Sequence, residues 1–373
     1  MNNNGCPIYM QDGKVIDESM TNVEKILHSK KLNYKDLTTI SDPYFKDSKC
    51  ETVNIYIDLF EVVKSLYSPT LMEELATIRT STKMNIIAEL LNIIGHYRHF
   101  FVTRYNKYAT VIFYYSTKKD TYYTGLDKEY KKDFYYKRLF SAGNTDFFTL
   151  NKVLRDCLTV VKEYLNYIPH AYLIDTGGMD PRLLPYMMKH EVSSEEVHGL
   201  INPDDYTIIM TNNNLDLLNL IYDEDTLLFK NNHKDKRYIN KEEIYDELGV
   251  DNSIGLPIHL VKYLLSISGD KSYGIANVSR MKEKKAFKYL AKKFALGETN
   301  LEDFEDLGAD YIRFKNNYLL LDYSSYPYEF KKKYILDQFI DIVDLEYIKQ
   351  ETFNIFDASN IVLLDYLFDG EKC

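Results

Sequence analysis

The stretch "VNIYIDLFEVV", residues 53–63, is almost continuous in apolar side chains and contains neither glycine nor proline. Its first half is rich in β-branched and aromatic residues, which predicts a strand covered on both faces. That strand ends at Asp58. Because an unpaired carboxylate in a protein core costs several kcal/mol, Asp58 must be solvated, paired with a cation or bound to a metal.

Similar short apolar runs alternate with longer helical patterns along the chain, which is typical of βαβ units and a mostly parallel sheet. The predicted strands are 53–58, 109–115, 171–175, 206–211 and 226–230. The predicted helices between them are 83–100, 148–166, 181–190 and 214–222. After residue 240 the pattern is helical, over 241–248, 256–268, 279–295 and 333–350. The sequence therefore predicts an α/β fold with a helical C-terminal part.

Acidic residues follow several of the predicted strands. Asp58 and Asp175 end two of them, and Asp216 comes just after a third, in "TNNNLDLLNLI". Ligands of parallel α/β sheets bind beyond the carboxyl ends of the strands. We therefore expect these carboxylates to meet at one edge of the sheet.

Composition places the chain among folded proteins rather than disordered or fibrous ones. It has 373 residues, 45% hydrophobic and 27% charged, with 34 tyrosines and no tryptophan, a bias that we interpret as the mark of an AT-rich genome. The four cysteines are scattered, which argues against a zinc ribbon or a disulfide framework and fits a reducing compartment. With no 18-residue apolar stretch and no signal-peptide pattern, we expect a cytoplasmic protein without a membrane partner.

The net charge of −10 hides two basic segments. Residues 98–138 hold ten Lys or Arg against four Asp or Glu, and residues 280–293 hold seven against one. Basic segments on an acidic body allow local contacts with a polyanion. The alternative interpretation is a pair of solvated helix faces.

The order of these segments resembles that of the flap endonuclease family of 5′ nucleases, which have a PIN-like core. "VNIYIDLFEVVKSLY" (53–67) resembles the family's first strand with its metal-binding aspartate, and "IIMTNNNLDLLNLI" (208–221) is similar to its D-x-D-l-l-Q-L turn. Gly269-Asp270 resembles its G-D motif, and "RMKEKKAFKYLAKK" (280–293) stands where the family has a helical turn that grips duplex backbone. The likeness spans roughly residues 52–295.

The resemblance implies a centre in which carboxylates hold two divalent ions, Mg²⁺ or Mn²⁺, that activate water for phosphodiester cleavage. The positions that match as catalytic and metal-binding residues are Asp58, Asp216 and Asp270. Asp175 and Asp180 are candidate substitute ligands.

Several positions depart from the family pattern. Tyr115, Asn214 and Tyr273 stand at or near positions where the family has aspartate, and Arg182 lies in the segment that should supply an acidic cluster. A guanidinium there repels a metal ion and can itself neutralise Asp58 or Asp180. We therefore expect cleavage to be weakened or lost.

The stretch 114–140 interleaves tyrosines with Lys and Arg, which suits stacking on single-stranded nucleic acid. The alternative is an amphipathic helix whose tyrosines pack on the core. The predicted phosphate contacts are Lys131, Lys132, Lys137, Arg138, Lys282, Lys284 and Lys285.

Weaker patterns favour ordinary structure. His96 and His99 could seat a metal on a helix, but the sequence supplies no third ligand. The "DTGG" at 175–178 lacks the Lys and Ser/Thr of a P-loop, so it predicts a tight strand-to-helix turn.

The sequence thus predicts an N-terminal extension (1–50), a PIN-like core (51–235), a helical DNA-binding-like subdomain (236–300) and a C-terminal extension (301–373). The first hypothesis is a protein of viral or mobile-element replication or repair that binds branched or single-stranded DNA, or a replication protein. The second is an active metal-dependent 5′ nuclease, and the third a structural protein that reuses the fold.

Overall fold

The computed structural model describes residues 8–11, 14–17, 52–59, 79–116, 118, 120–130, 158–159, 161–162, 165, 168–197, 199–211, 214–231 and 236–339. The strands are β1 (Ile8–Gln11), β2 (Lys14–Asp17), β3 (Thr52–Asp58), β4 (Tyr108–Tyr115), β5 (Ala171–Asp175), β6 (Tyr206–Thr211), β7 (Thr226–Asn231) and β8 (Lys236–Ile239). The α-helices are α1 (Arg79–Tyr105), α2 (Thr121–Leu126), α3 (Leu183–His190), α4 (Ile244–Glu247), α5 (Val261–Ser268), α6 (Glu283–Ala295), α7 (Tyr311–Leu321) and α8 (Glu329–Leu336). Short 3₁₀ helices cover Asn214–Ile221, Lys241–Glu243, Ile258–Leu260, Lys271–Tyr273, Leu301–Asp310 and Tyr323–Ser325.

A six-stranded sheet forms the centre of the fold, in the order β5-β4-β3-β6-β7-β8. All neighbours in it are parallel except β7 and β8, which are antiparallel. Most residues of β3 and β4 are buried, as expected for strands covered by helices on both faces. The predicted α/β fold with a mostly parallel sheet is confirmed.

The described strands differ from the predicted ones by at most one residue at either end, apart from β8 and the N-terminal hairpin β1–β2, which the sequence pattern did not indicate. The strand β8 reads "KRYI" and pairs only with β7, at the edge of the sheet. Short, charged edge strands lack the apolar run by which buried strands are recognised.

The segment 214–222, predicted as a helix, is a 3₁₀ helix over Asn214–Ile221. The predicted helix 333–350 is wrong at its start, because α8 already begins at Glu329, two residues after Pro327. Most of the predicted helix 148–166 lies outside the described residues.

Described residues between 301 and 339 belong to the same hydrophobic core as the sheet. Phe304, Phe314, Leu320 and Tyr323 are completely buried in one cluster with Ile112 of β4 and other residues of the sheet. The described part of the predicted C-terminal extension therefore contributes to the core. The predicted domain boundaries stay predictions.

None of the described helices combines the length and the apolar character needed to cross a membrane.

Candidate functional site

The strand order creates one preferred place for a ligand. The chain runs from β3 to β4 and β5 on one side, then crosses to β6 and β7 on the other side. The crevice between such diverging connections, outside the carboxyl ends of the strands, is where open α/β sheets bind ligands. Here that place is the end of β3 and β6, where Asp58 and Thr211 lie.

Asp58 and Asp216 are brought to one buried phenol. Tyr114 lies opposite Asp58 in the pairing of β3 with β4. Burial raises the pKa of Tyr114 well above its usual range, and the negative charges of Asp216 and Asp58 raise it further. Two of the predicted carboxylates therefore lie within electrostatic reach of the same hydroxyl.

Asp216 is held by its neighbours. Its side chain is 8% exposed and accepts a short hydrogen bond from the Thr211 hydroxyl at the end of β6. The Tyr323 hydroxyl donates to the carbonyl oxygen of the preceding residue, Leu215, at 3.1 Å. Asn214, where the family has the first aspartate of its turn, is exposed.

Asp270 lies in a tight turn after α5. Its backbone pairs with that of Ile275, with N–O distances of 2.8 Å in both directions. Gly269, before it, has φ +67°. Tyr273, in the same turn, is buried and, like Asp216 and Asp58, raises the pKa of Tyr114, which places this turn near the same buried hydroxyl.

Asp180 forms a buried ion pair with Arg182. The guanidinium Nε and Nη2 donate to the two carboxylate oxygens at 3.2 and 3.1 Å, and the side chains are 0% and 5% exposed. Burial lowers the pKa of Arg182, but Asp180 and the surrounding tyrosine hydroxyls together raise it well above the ordinary value. The guanidinium therefore keeps its positive charge beside Asp180.

Aromatic rings enclose this ion pair. The Tyr130 hydroxyl donates a short hydrogen bond to Asp180 and accepts one from Arg182 Nη2 at 2.6 Å. The Arg182 guanidinium carbon lies 4.3 Å from the centre of the Tyr273 ring, in cation–π geometry. Tyr273 therefore connects the ion pair to the surroundings of Tyr114, where Asp58 and Asp216 also act.

A further carboxylate, Asp120, supports the ion pair and has no counterpart among the predicted site residues. It accepts from the backbone N–H of Asp180 at 2.7 Å, from the Tyr326 hydroxyl at 3.0 Å and from the backbone N–H of Tyr123, at the start of α2, at 2.8 Å. Burial raises its pKa above the usual value. The signal that could have found it is an aspartate directly before the short helix "TYYTGL", which is a preferred N-cap position.

Asp175 faces α8. Its carboxylate accepts from the Tyr334 hydroxyl at 3.2 Å and from the backbone N–H of Gly177 at 2.9 Å. Tyr115, opposite Asp175 in the pairing of β4 with β5, has its pKa raised by burial and by the charge of Asp175.

The described residues do not fit the two-ion centre that the resemblance implies. Within the part of the chain that the structure describes, no group of three or more His, Cys, Asp or Glu side chains is placed to hold a metal ion. Asp180 already has a guanidinium as its counter-charge, and Asp216 is nearly buried and hydrogen-bonded to Thr211. The roles predicted for Asp58, Asp216 and Asp270 in metal binding stay predictions.

The predicted nucleic-acid contacts fall into two groups. Lys131, Lys132, Lys137 and Arg138 lie outside the described residues. Tyr123 and Tyr130, from the aromatic stretch before them, are completely buried, so these two rings pack in the core rather than stack on a ligand. Lys282, Lys284 and Lys285 are exposed at the start of α6.

The start of α6 has an unusual backbone. Ser279 and Arg280, just before it, have φ of 50° and 55°, values that favour glycine. Asp310 stabilises this turn by accepting from the backbone N–H and the hydroxyl of Ser279, at 3.0 and 2.7 Å. Lys282 is the N-cap and makes no side-chain capping bond, so the first N–H groups of a 13-residue helix point outward among exposed basic side chains.

The sequence matches no family model and no curated protein significantly. Solved structures do match. The T5 D15 protein co-crystallized with metal ions has a TM-score of 0.49 and 13% identity over 80% of this chain and 98% of that one. T5 5′-exonuclease with bound zinc has a TM-score of 0.48 and 14% identity over the same shares, and the catalytic core of Rad2 in complex with DNA substrate has 0.42 and 12% over 86% and 92%.

These matches belong to the class of nuclease that the sequence resembles. At such low identity they concern the fold alone. What this chain does must be argued from its own residues.

Proposed function

We propose that this protein is a flap-endonuclease-like DNA-binding protein of viral or mobile-element replication or repair, with metal-dependent cleavage weakened or lost. The observation that carries the proposal is the start of α6, which is basic and has no side-chain cap. In addition, Asp180, one of the candidate metal ligands, is already paired with Arg182.

The start of α6 has the features of a phosphate-binding site. Outward N–H groups and the helix dipole favour an anion at a helix N-terminus. Arg280, Lys282, Lys284 and Lys285 are exposed in this segment. The acids beside them are Glu283 and Asp310, and Asp310 already pairs with Arg313. Backbone contacts of this kind position a protein on a duplex without reading its sequence.

The carboxylate edge supports the second half of the proposal. A two-ion mechanism needs several carboxylates that are free to bind cations. Arg182 neutralises Asp180 in the described structure, and Thr211 holds Asp216. We therefore expect the protein to bind DNA but to cleave it weakly or not at all.

Binding is tested by fluorescence anisotropy on a labelled duplex with a 5′ single-stranded flap, at several salt concentrations. We expect the logarithm of the binding constant to fall linearly with the logarithm of salt. The double variant Lys284→Ala/Lys285→Ala should bind more weakly and reduce that slope by about two, one for each lost phosphate contact.

The control is Lys241→Ala. Lys241 pairs with the exposed carboxylate of Glu224 and lies away from α6, on a 3₁₀ helix after β8. It should leave the salt slope unchanged. Equal effects of the control and the double variant would contradict a specific role of α6.

One observation favours an active nuclease as the alternative. Asp58 and Asp216, two of the predicted catalytic residues, both act on the pKa of the Tyr114 hydroxyl. Cleavage of the flap substrate in Mg²⁺ or Mn²⁺ that Asp58→Ala abolishes would select this alternative. Absence of both binding and cleavage would select the structural role.

A further inference from the structure

The outer face of α8 carries two exposed aromatic rings. Phe330 is 78% exposed and Tyr334 is 48% exposed. Residues four apart lie on one face of a helix, about 6 Å from each other. Tyr334 has partners on one side, Gly177 and Asp175, but about half of its surface is exposed, and Phe330 is more exposed still.

The same helix is basic. It contains Lys331, Lys332 and Lys333 against one acid, Glu329. Lys332 pairs with Glu196 at 2.7 Å, whereas Lys331 donates to a neutral acceptor, the carbonyl oxygen of Gly177, at 2.8 Å. Asp337, at the end of the helix, is exposed, and Asp175 accepts a hydrogen bond from the Tyr334 hydroxyl.

The two rings lie at the ligand-binding edge of the sheet. The Tyr334 hydroxyl is 3.2 Å from Asp175, at the carboxyl end of β5. Its ring lies so close to Gly177 that a Cβ on that glycine would be 2.5 Å from it. Because β5 and β3 are separated only by β4, the strand end at Asp175 is about 10 Å from the one at Asp58.

We propose that Phe330 and Tyr334 form a stacking platform for single-stranded DNA. Non-specific single-strand binding combines aromatic faces, on which bases stack, with cations that contact the backbone, and the outer face of α8 offers both. A purely apolar protein partner would not need the lysines. The platform rests on the proposed function, in which α6 holds duplex DNA and α8 holds the unpaired strand.

Because the chain has no tryptophan, a single introduced one reports on its own surroundings. In Phe330→Trp, an unlabelled dT12 oligonucleotide should quench the tryptophan fluorescence to saturation. The matched control is Ile312→Trp, because Ile312 is 67% exposed on another helix, α7. The oligonucleotide should leave its fluorescence nearly unchanged.

Removal of the rings tests the energetics. Phe330→Ala and Tyr334→Leu should each lower the affinity for dT12 by about fivefold to a hundredfold, the range of a lost base–aromatic stack. Both should leave duplex affinity unchanged. Phe330→Ala, whose ring is 78% exposed, should also leave the urea midpoint unchanged. Tyr334→Phe loses only the hydrogen bond to Asp175 and should keep the affinity for dT12.

The outcomes separate the two proposals. Duplex binding that depends on Lys284 and Lys285, without quenching in Phe330→Trp, overturns the platform and leaves the proposed function standing. Quenching that is equal in both tryptophan variants also overturns the platform. Failure to bind either duplex or dT12 overturns the proposed function together with the platform.

Discussion

Arg182 brings a permanent positive charge into the interior and finds its counter-charge two residues away, on Asp180. Guanidinium and carboxylate meet through two hydrogen bonds, a geometry that a metal ion cannot displace without expelling the arginine. At the residue scale, the side chain that most weakens the case for catalysis is therefore also the one that neutralises a buried carboxylate.

Arg182→Met should lower the free energy of unfolding by about 3–5 kcal/mol, because it leaves the Asp180 carboxylate buried without a counter-charge. Urea unfolding followed by circular dichroism measures this. The double variant Asp180→Leu/Arg182→Met should lose much less than the sum of the single variants, since it removes both charges.

Arg313→Met is the matched control, because Arg313 pairs with Asp310 at 3.3 Å while its side chain is 53% exposed. It should change the free energy of unfolding by less than about 1 kcal/mol. Similar losses of unfolding free energy in Arg182→Met and Arg313→Met would show that the buried ion pair stabilises the fold no more than the exposed one.

Asp205 lies directly before β6, at the amino ends of the parallel strands, whereas Asp58 lies at their carboxyl ends. We expect it to make the free energy of unfolding depend on pH. Burial raises the pKa of its carboxyl to about 6. Since the unfolded chain titrates near 3.8, the folded protein holds this proton more tightly, and its contribution to stability is lost as the pH rises from about 4 to about 6. The loss is at most about 3 kcal/mol, at about 1.4 kcal/mol for each pH unit.

Asp205→Asn should flatten the dependence of the free energy of unfolding on pH in this interval. Urea midpoints measured between pH 4 and pH 7 test it. An identical slope in wild type and variant would show that Asp205 titrates normally.

At the scale of the element, the turn between α5 and α6 needs a glycine for two reasons. Gly269 has φ +67°, and a Cβ there would be 2.6 Å from the carbonyl oxygen of Ile275 and 2.7 Å from the backbone of Ala276 and Asn277. Gly255 has the same φ of +67°, but nothing lies within 4 Å of its Cβ position. Substitutions at Gly255 and Gly269 therefore distinguish the cost of conformational strain from that of steric overlap.

Gly255→Ala should lower the free energy of unfolding by about 1–2 kcal/mol, the cost of a left-handed alanine. Gly269→Ala should lower it by clearly more, since backbone atoms must move as well. Urea unfolding of both variants checks this, and equal losses would contradict the packing described around Gly269.

At the scale of the whole molecule, the proposed weakening or loss of metal binding has a thermodynamic signature. A ligand that binds only the folded state stabilises it by about 2.7 kcal/mol at a hundredfold excess over its dissociation constant. We expect Mg²⁺ or Mn²⁺ at millimolar concentration, and its removal by EDTA, to leave the melting temperature unchanged. A rise in the melting temperature with the metal ion that Asp58→Asn abolishes would instead support the alternative of an active nuclease.

The sequence was a good guide to the sheet and a poor one to the site. Buried parallel strands are continuous apolar runs, so β5 and β6 could be predicted residue by residue. The link between Asp120 and Asp180 spans 60 residues and joins a side chain to a backbone N–H, and no local pattern encodes such a contact. That Arg182 would neutralise an acid was predictable from charge, but only the fold shows that the acid is Asp180 rather than Asp58.

The carboxamide of Gln338 makes two hydrogen bonds to the backbone of Asp175, as acceptor from its N–H at 2.9 Å and as donor to its carbonyl oxygen at 2.8 Å. It thus makes the two bonds that one residue of an adjoining strand would make, on the side of β5 where the described strands provide no neighbour. An exposed edge strand of this kind can pair with a strand of another copy of the chain. Shortened versions that stop before residue 338 should accordingly self-associate, and work on fragments of this protein is best planned with that residue retained.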